Sequence, residues 1–255
     1  MEYKILVADD DKEIREAIEI YLTNEQMKVL TACDGQEALK VLEANPDIHL
    51  IIMDLMMPKM DGIELCKRIK HNIDVSHIPI ILLTASASVE NEERGYKEGA
   101  DAYMTKPFKW EILTARIHNL LAQRRQQQNE FKQNAEAEAK DVTISPADED
   151  FLNKALRFVE KNMDNIEFST DEFAREMNMS RSNLHLKLKA ITGESTIDFI
   201  RKIRFNEAAK LLKDGRYTIA EVSTMVGFNT PSYFATSFKK YFGCLPTEYI
   251  KKAKG

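Results

Sequence analysis

The chain has 255 residues, 44% of them hydrophobic and 30% charged, with a formal net charge of −5. That length accommodates two domains with separate cores. No apolar run approaches the roughly 20 residues of a membrane helix, and no signal peptide precedes Tyr3-Lys4-Ile5, so a cytoplasmic protein without membrane contact is expected. Cys33, Cys66 and Cys244 are far apart and odd in number, which fits reduced packing residues and neither a disulfide framework nor a metal spacing. The charge is unevenly spread. Residues 1–121 carry 14 Lys and Arg against 22 Asp and Glu, whereas residues 151–255 carry 18 against 12. An acidic front half and a basic back half suggest a regulatory domain joined to a nucleic-acid binder.

Lys4 to Ala8 reads as a short buried strand, with Asp9, Asp10 and Asp11 at its carboxyl end. A helix follows in which Ile14, Ala17, Ile18, Tyr21 and Leu22 share one face. Val29 to Ala32 is the next strand, and Gln36 to Ala44 the next helix. Leu50 to Met53 is an apolar run of the kind buried on both faces of a parallel sheet, and it ends in Asp54. A helix from Gly62 to about Lys70 comes next. The strand Ile78 to Thr84, a helix near Val89 to Glu98 and the short strand Ala102 to Met104 lead to Lys106-Pro107. The last helix begins near Lys109 and carries Ile112, Leu113, Ile117 and Leu120. Five strands alternating with five helices predict a doubly wound α/β domain.

In such sheets the chemistry gathers outside the carboxyl ends of the strands. Asp9 and Asp10 follow the first strand, Asp54 the third, Thr84 the fourth and Lys106 the fifth. Taken singly, a strand-end Asp usually caps a helix and a lone Lys is usually solvated. Together they form a site. Three carboxylates at one edge call for a hard divalent cation with oxygen ligands, such as Mg²⁺. A hydroxyl and an ammonium beside them suit phosphoryl oxygens, and Asp54 becomes the covalent nucleophile.

These residues resemble the receiver domain of two-component response regulators. The matching pieces are Asp9-Asp10, Met53-Asp54-Leu55-Met56-Met57-Pro58 with Asp61-Gly62, Leu83-Thr84-Ala85, and Gly99-Ala100-Asp101-Ala102-Tyr103 running into Lys106-Pro107-Phe108. The resemblance spans residues 3 to about 121 and implies a flavodoxin-like (βα)5 fold. It implies phosphorylation of Asp54 by a cognate histidine kinase, and Mg²⁺ held by Asp9, Asp10, Asp54 and the backbone carbonyl of Met56. Thr84 and Tyr103 would form the switch pair, and Lys106-Pro107 is a candidate cis peptide. Two positions depart from the family pattern. Ala102 and Ile112 stand where family members that pair through this face carry acids, leaving Asp101 and Arg116 as an available pair. Met56 is apolar where the family tunes dephosphorylation, which implies slow self-hydrolysis.

From Gln123 to about Pro146 the chain is polar, with the helix-forming run Ala135 to Lys140. It is expected to extend the last helix of the first domain and then act as a spacer; no a/d periodicity marks it as a dimerising coil. The expected domains are therefore 1–121, a linker over 122–147, and 148–255.

The basic half contains an internal repeat. Offset by 50, Leu184, Leu188, Ile191 and Gly193 fall on Phe234, Phe238, Tyr241 and Gly243. Each copy opens on a capping-box pattern, Ser169 to Glu172 and Thr218 to Glu221. A short helix, a turn and a second helix follow, the latter capped by Ser180 in one copy and by Thr230 with Pro231 in the other. That is a helix-turn-helix twice over, joined by an amphipathic helix from Thr196 to Lys213 that carries Ile197, Ile200 and Ile203. Exposed residues expected to face DNA are Ser180, Arg181, Ser182, Asn183, His185, Lys187 and Lys189 in the first copy, and Thr230, Ser232, Tyr233, Thr236, Lys239 and Lys240 in the second. This half resembles the AraC/XylS-type DNA-binding domain over roughly 150–252, most specifically through Ile219 to Val222, Val226-Gly227-Phe228, Ser232-Tyr233-Phe234 and Phe238 to Gly243.

The combined expectation is a phosphorylation-dependent transcription factor, not an enzyme. It would bind double-stranded DNA, form a homodimer on phosphorylation and take RNA polymerase as a further candidate partner. The order of domains also resembles the cytoplasmic tail of hybrid two-component regulators. A haloacid-dehalogenase-type phosphatase is disfavoured because Met56 stands where its general acid would be. A ligand-sensing AraC-type regulator is disfavoured because the first half does not read as a barrel.

Overall fold

The computed structural model describes residues 2–85, 93, 95–133 and 145–254. They form two compact units: the first runs to Glu130 and includes 145–149, and the second takes 131–133 and continues from Asp150.

In the first unit the strands are β1 (Lys4–Ala8), β2 (Lys28–Ala32), β3 (Leu50–Asp54), β4 (Ile80–Thr84) and β5 (Ala102–Thr105). All pairings are parallel, in the order β2-β1-β3-β4-β5. This is the flavodoxin-like order expected of alternating strands and helices. Side chains alternate across the sheet. Leu6, Ile51, Met53, Ile80, Leu82 and Tyr103 enter one core, packed by α2 (Gly35–Ala44) and α3 (Gly62–His71). Ile5, Val7, Leu50, Ile52, Ile81 and Leu83 enter the other, packed by α1 (Lys12–Asn24) and α4 (Trp110–Gln133). β4 starts two residues later than its apolar run suggested, after Pro79, which has no N–H for a ladder. Of the helix expected near Val89 to Glu98, residues 93 and 95–97 are described and helical and Glu98 lies in the turn that follows; the rest lies outside the described residues.

Helix α4 continues to Gln133, so the linker does extend the last helix of the first domain, while the run Ala135 to Lys140 lies outside the described residues. The linker is not solvated throughout, however, since Arg124 and Phe131 are buried. On the same helix Ile112 is half exposed, while Leu113, Ile117 and Leu121 fill the core.

The helices that follow are α5 (Pro146–Lys161), α6 (Thr170–Glu176), α7 (Arg181–Thr192), α8 (Thr196–Asp214), α9 (Ile219–Met225), α10 (Pro231–Phe242) and α11 (Pro246–Lys254). The repeat is visible in the backbone. α6 and α9 have 7 residues each, and α7 and α10 have 12. The turns pass through Asn178 at φ 54° and Gly227 at φ 72°; the left-handed region is accessible to asparagine and glycine. Gly227 also lacks room for a side chain, since a Cβ there would lie 2.5 Å from the Met163 carbonyl oxygen. Arg204 of α8 donates to the Gly227 and Asn165 carbonyls at 3.0 and 2.7 Å, so it ties the second turn to the connecting helix. A reciprocal capping box is present at Thr218 and Glu221. At the first copy, Ser169 accepts the Glu172 N–H. The second copy's core is aromatic, with Phe205, Phe228, Phe234 and Phe238 buried together. Ile197 is exposed, so the inward face of α8 is carried by Phe199, Ile200, Ile203, Phe205, Ala208 and Leu212.

Candidate functional site

Because every strand runs the same way, the carboxyl ends of β1, β3, β4 and β5 share one edge of the sheet. Asp9 directly follows β1 and is fully buried; Asp54 ends β3 and is 6% exposed. Lys106 lies just beyond β5, and its Nζ is 2.6 Å from Asp9 Oδ2 and 2.5 Å from Asp54 Oδ1. The other oxygens accept backbone N–H groups: Met56 donates to Asp54 Oδ2 at 2.8 Å, and Asp11 to Asp9 Oδ1 at 3.0 Å. The Lys106 N–H donates to the Thr84 carbonyl at 2.6 Å, and Lys106-Pro107 is cis. The loop after β3 closes beneath Asp54 through Gly62, whose N–H donates to the Leu55 carbonyl at 2.9 Å. A Cβ on Gly62 would lie 2.3 Å from the Asp54 carbonyl oxygen, so the closure requires glycine.

The electrostatics follow from this packing. Burial pushes the Asp9 carboxyl above its usual range, and the negative charge of Asp54 adds to the effect while Lys106 opposes it. Burial works against the charge on Lys106, yet its hydrogen bonds to Asp54 and Asp9 leave its pKa above the ordinary lysine value. The ammonium therefore stays charged between two acids at neutral pH.

Thr84 is 2% exposed at the end of β4. Tyr103 points into the core, 9% exposed, and its hydroxyl has no hydrogen-bond partner among the described residues. Asp10 is exposed beside Asp9, and Met56 is exposed at the loop tip. Among the described residues no three His, Cys, Asp or Glu side chains form a ready metal cage. The donor chemistry nonetheless fits Mg²⁺, a small hard cation that takes one or two carboxylates and completes its shell with other oxygens. The two buried carboxylates converge on one spot, and Asp9 is short of positive charge.

The pair suggested for Asp101 is corrected. Asp101 accepts from Lys70 Nζ at 2.9 Å and from the Ile80 N–H at 2.8 Å, and its side chain is buried. It is therefore committed to Lys70 and not to Arg116. Burial of an unbranched lysine stem beside a carboxylate depends on which loops meet, which spacing along one helix does not reveal.

In the second unit Ser180 accepts the Asn183 N–H at 3.1 Å, and Thr230 the Tyr233 N–H at 3.3 Å. Both hydroxyls are thus engaged as helix caps. Arg181, Ser182 and Lys189 are exposed, and Asn183 and His185 are half-buried. On α10, Ser232, Tyr233, Thr236, Lys239 and Lys240 are exposed. The Thr236 hydroxyl donates back to the Ser232 carbonyl at 3.0 Å, and Arg201 of α8 donates to the Tyr233 hydroxyl at 3.2 Å. Lys187 does not stand on this face. It is fully buried, with Nζ 5.6 Å from the centre of the Phe151 ring. The reason is legible in the spacing, because Leu184, Lys187, Leu188 and Ile191 share one side of a helix, and that side is the core side.

Comparison with known proteins places both units in known families. A response regulator receiver domain model matches residues 5–118, and a helix-turn-helix domain model matches residues 173–252. Response regulator MprA of Mycobacterium bovis is 34% identical over 175 residues, 68% of this chain and 70% of that protein. The chain belongs to the response regulators, with an N-terminal receiver followed by an AraC-type helix-turn-helix region. Histidine kinase P4 of Formosa agariphila is 38% identical over 245 residues, 96% of this chain but 18% of that protein. The chain spans about half the length of several other curated relatives. Among solved structures, the receiver domain of the Francisella response regulator 1452 aligns at 40% identity with a TM-score of 0.44, covering 47% of this chain and 97% of that one.

Proposed function

We propose that the chain is a phosphorylation-dependent transcriptional regulator. A histidine kinase phosphorylates Asp54, and the second unit binds double-stranded DNA. The observation that carries this reading is the convergence of Asp9, Asp54 and Lys106 at the carboxyl edge of a parallel sheet. The similarity to a protein named a histidine kinase along nearly the whole chain supports a kinase as donor.

In the transfer, a carboxylate oxygen of Asp54 forms the new O–P bond while the P–N bond to the donor imidazole breaks. Lys106 places its ammonium against the phosphoryl oxygens, and the Met56 N–H holds the second carboxylate oxygen of Asp54. Mg²⁺, held by Asp9, Asp10, Asp54 and the Met56 carbonyl, would supply compensation for the charge on the phosphoryl group. The Thr84 hydroxyl is the switch donor to that group, with Tyr103 buried behind it. No turnover of an external substrate is expected, and exposed apolar Met56 places no acid or amide to orient water, so self-hydrolysis is slow. The phosphorylated chain dimerises and raises DNA occupancy. Arg181, Ser182, Asn183, His185, Ser232, Tyr233, Thr236, Lys239 and Lys240 present the DNA face, with α7 and α10 in successive major-groove segments, and RNA polymerase is a further partner.

Intact mass after incubation with Mg²⁺ and phosphoramidate tests the site. One phosphoryl group is expected on the wild-type chain and none on Asp54→Asn; equal incorporation in both would overturn the assignment. Selection from a random duplex library, with and without phosphodonor, tests the DNA half.

A further inference from the structure

A second polar cluster lies in the first unit, and none of the phosphoacceptor residues belongs to it. Asp148, in the first turn of α5, is fully buried, and Ser76, just ahead of β4, is 1% exposed. The Ser76 hydroxyl donates to Asp148 Oδ1 at 2.8 Å. Arg124 of α4, 8% exposed, has Nη2 3.8 Å from Asp148 Oδ2. Burial lowers the Arg124 pKa, with the charges of Asp148 and then Asp101 opposing, and its Nη1 has no hydrogen-bond partner among the described residues. The Asp148 N–H is itself held by the Ser145 hydroxyl at 3.2 Å and the Ser145 carbonyl at 3.1 Å.

These observations single out residues 145–149. They begin a helix whose later residues belong to the second unit, yet they pack with the first. A carboxylate is seldom fully buried without a dedicated partner, and here the partners come from β4's entry loop and from α4. Releasing the segment would leave the desolvated Arg124 without its nearest acid. Keeping it in place fixes where the chain leaves the receiver.

We propose that Asp148 is a clasp: its carboxylate pins residues 145–149 to the receiver through Ser76 and Arg124, and this attachment is required for the receiver's state to reach the DNA-binding half. The clasp itself stands on the first unit's geometry alone; the coupling rests on the function proposed above.

The test uses the full chain and two substitutions, Asp148→Asn and Ser76→Ala. Asp148→Asn keeps the shape and loses the charge; Ser76→Ala removes the neutral donor and leaves both charges in place. Hydrogen exchange is expected to rise at least about tenfold in 145–150 for each variant, with β1, β3 and β4 unchanged. Phosphoryl incorporation at Asp54 is expected to stay at the wild-type level, while the phosphodonor-induced gain in occupancy on library-selected duplexes is lost. Unchanged exchange in 145–150 for both variants would overturn the clasp. Raised exchange with a wild-type DNA response would overturn the coupling. A wild-type chain whose DNA binding ignores the phosphodonor would instead refute the proposed function, and the exchange measurement would still decide the clasp.

Discussion

Among the described residues, the receiver has a lysine–aspartate pairing at each edge of the same sheet, and the two differ in how many acids each ammonium serves. At the amino edge Lys70 donates to Asp101 and to the Ile78 carbonyl, and Asp101 also takes the Ile80 N–H. One ammonium serves one acid here, and backbone groups on β4 and its entry fix both, so the pair is structural. At the carboxyl edge Lys106 serves two acids at once, and Asp9 carries a raised pKa because burial outweighs what one ammonium returns. That imbalance suits a site that must take up a cation and a phosphoryl group. The same two residue types thus give a brace where one ammonium serves one acid, and a reaction centre where one ammonium is shared between two.

The comparison breaks first at Asp54. Asp54→Asn should abolish phosphoryl incorporation by intact mass while leaving the fold intact, because asparagine keeps the shape and Lys106 retains Asp9. Lys70→Met should leave incorporation measurable but cost about 3–5 kcal/mol in urea unfolding, the penalty for a buried acid stripped of its partner. A smaller loss from Lys70→Met than from Lys106→Met would contradict the division into brace and reaction centre. Gly62→Ala should cost about 1–3 kcal/mol and slow phosphorylation together, since its Cβ forces the loop away from Asp54.

The pH dependence sharpens the contrast. With its folded pKa raised, Asp9 binds more protons in the folded state than in the unfolded one. Its contribution to stability therefore falls as pH rises from the ordinary carboxylate range through the folded value. Asp9→Asn should flatten that decline and raise the urea midpoint at neutral pH, at the expense of Mg²⁺-dependent phosphorylation. An unaltered pH profile would mean that Asp9 is not the strained group.

The smallest expected effects lie in the second unit, where two lysines divide in the same way. Lys240→Gln should weaken duplex binding about equally across sequences and reduce the salt slope by about 1. Lys187→Gln should leave that slope unchanged and lower thermal stability instead, because Lys187 is buried against Phe151. A reduced slope for Lys187→Gln would put it back on the DNA face.

Much of this was readable from residue order. Runs such as Leu50 to Met53 are apolar at every position because both faces of a parallel sheet are covered, so the strands, and the residues at their ends, declare themselves. The double helix-turn-helix was legible because capping residues and the spacing of apolar positions repeat in register. The inward position of Lys187 was also present, in its i+3 relation to Leu184, but its charge argued louder than its spacing. What no local pattern carried was the fate of Lys70, Arg124, Asp101 and Asp148. Each is a charged residue in a polar neighbourhood of sequence, and each is buried because a segment from far along the chain closes over it. Local periodicity determines which face of an element is apolar. Only the tertiary structure decides which charged side chains meet a partner that makes their burial tolerable, because that depends on contacts between residues 24 to 72 positions apart.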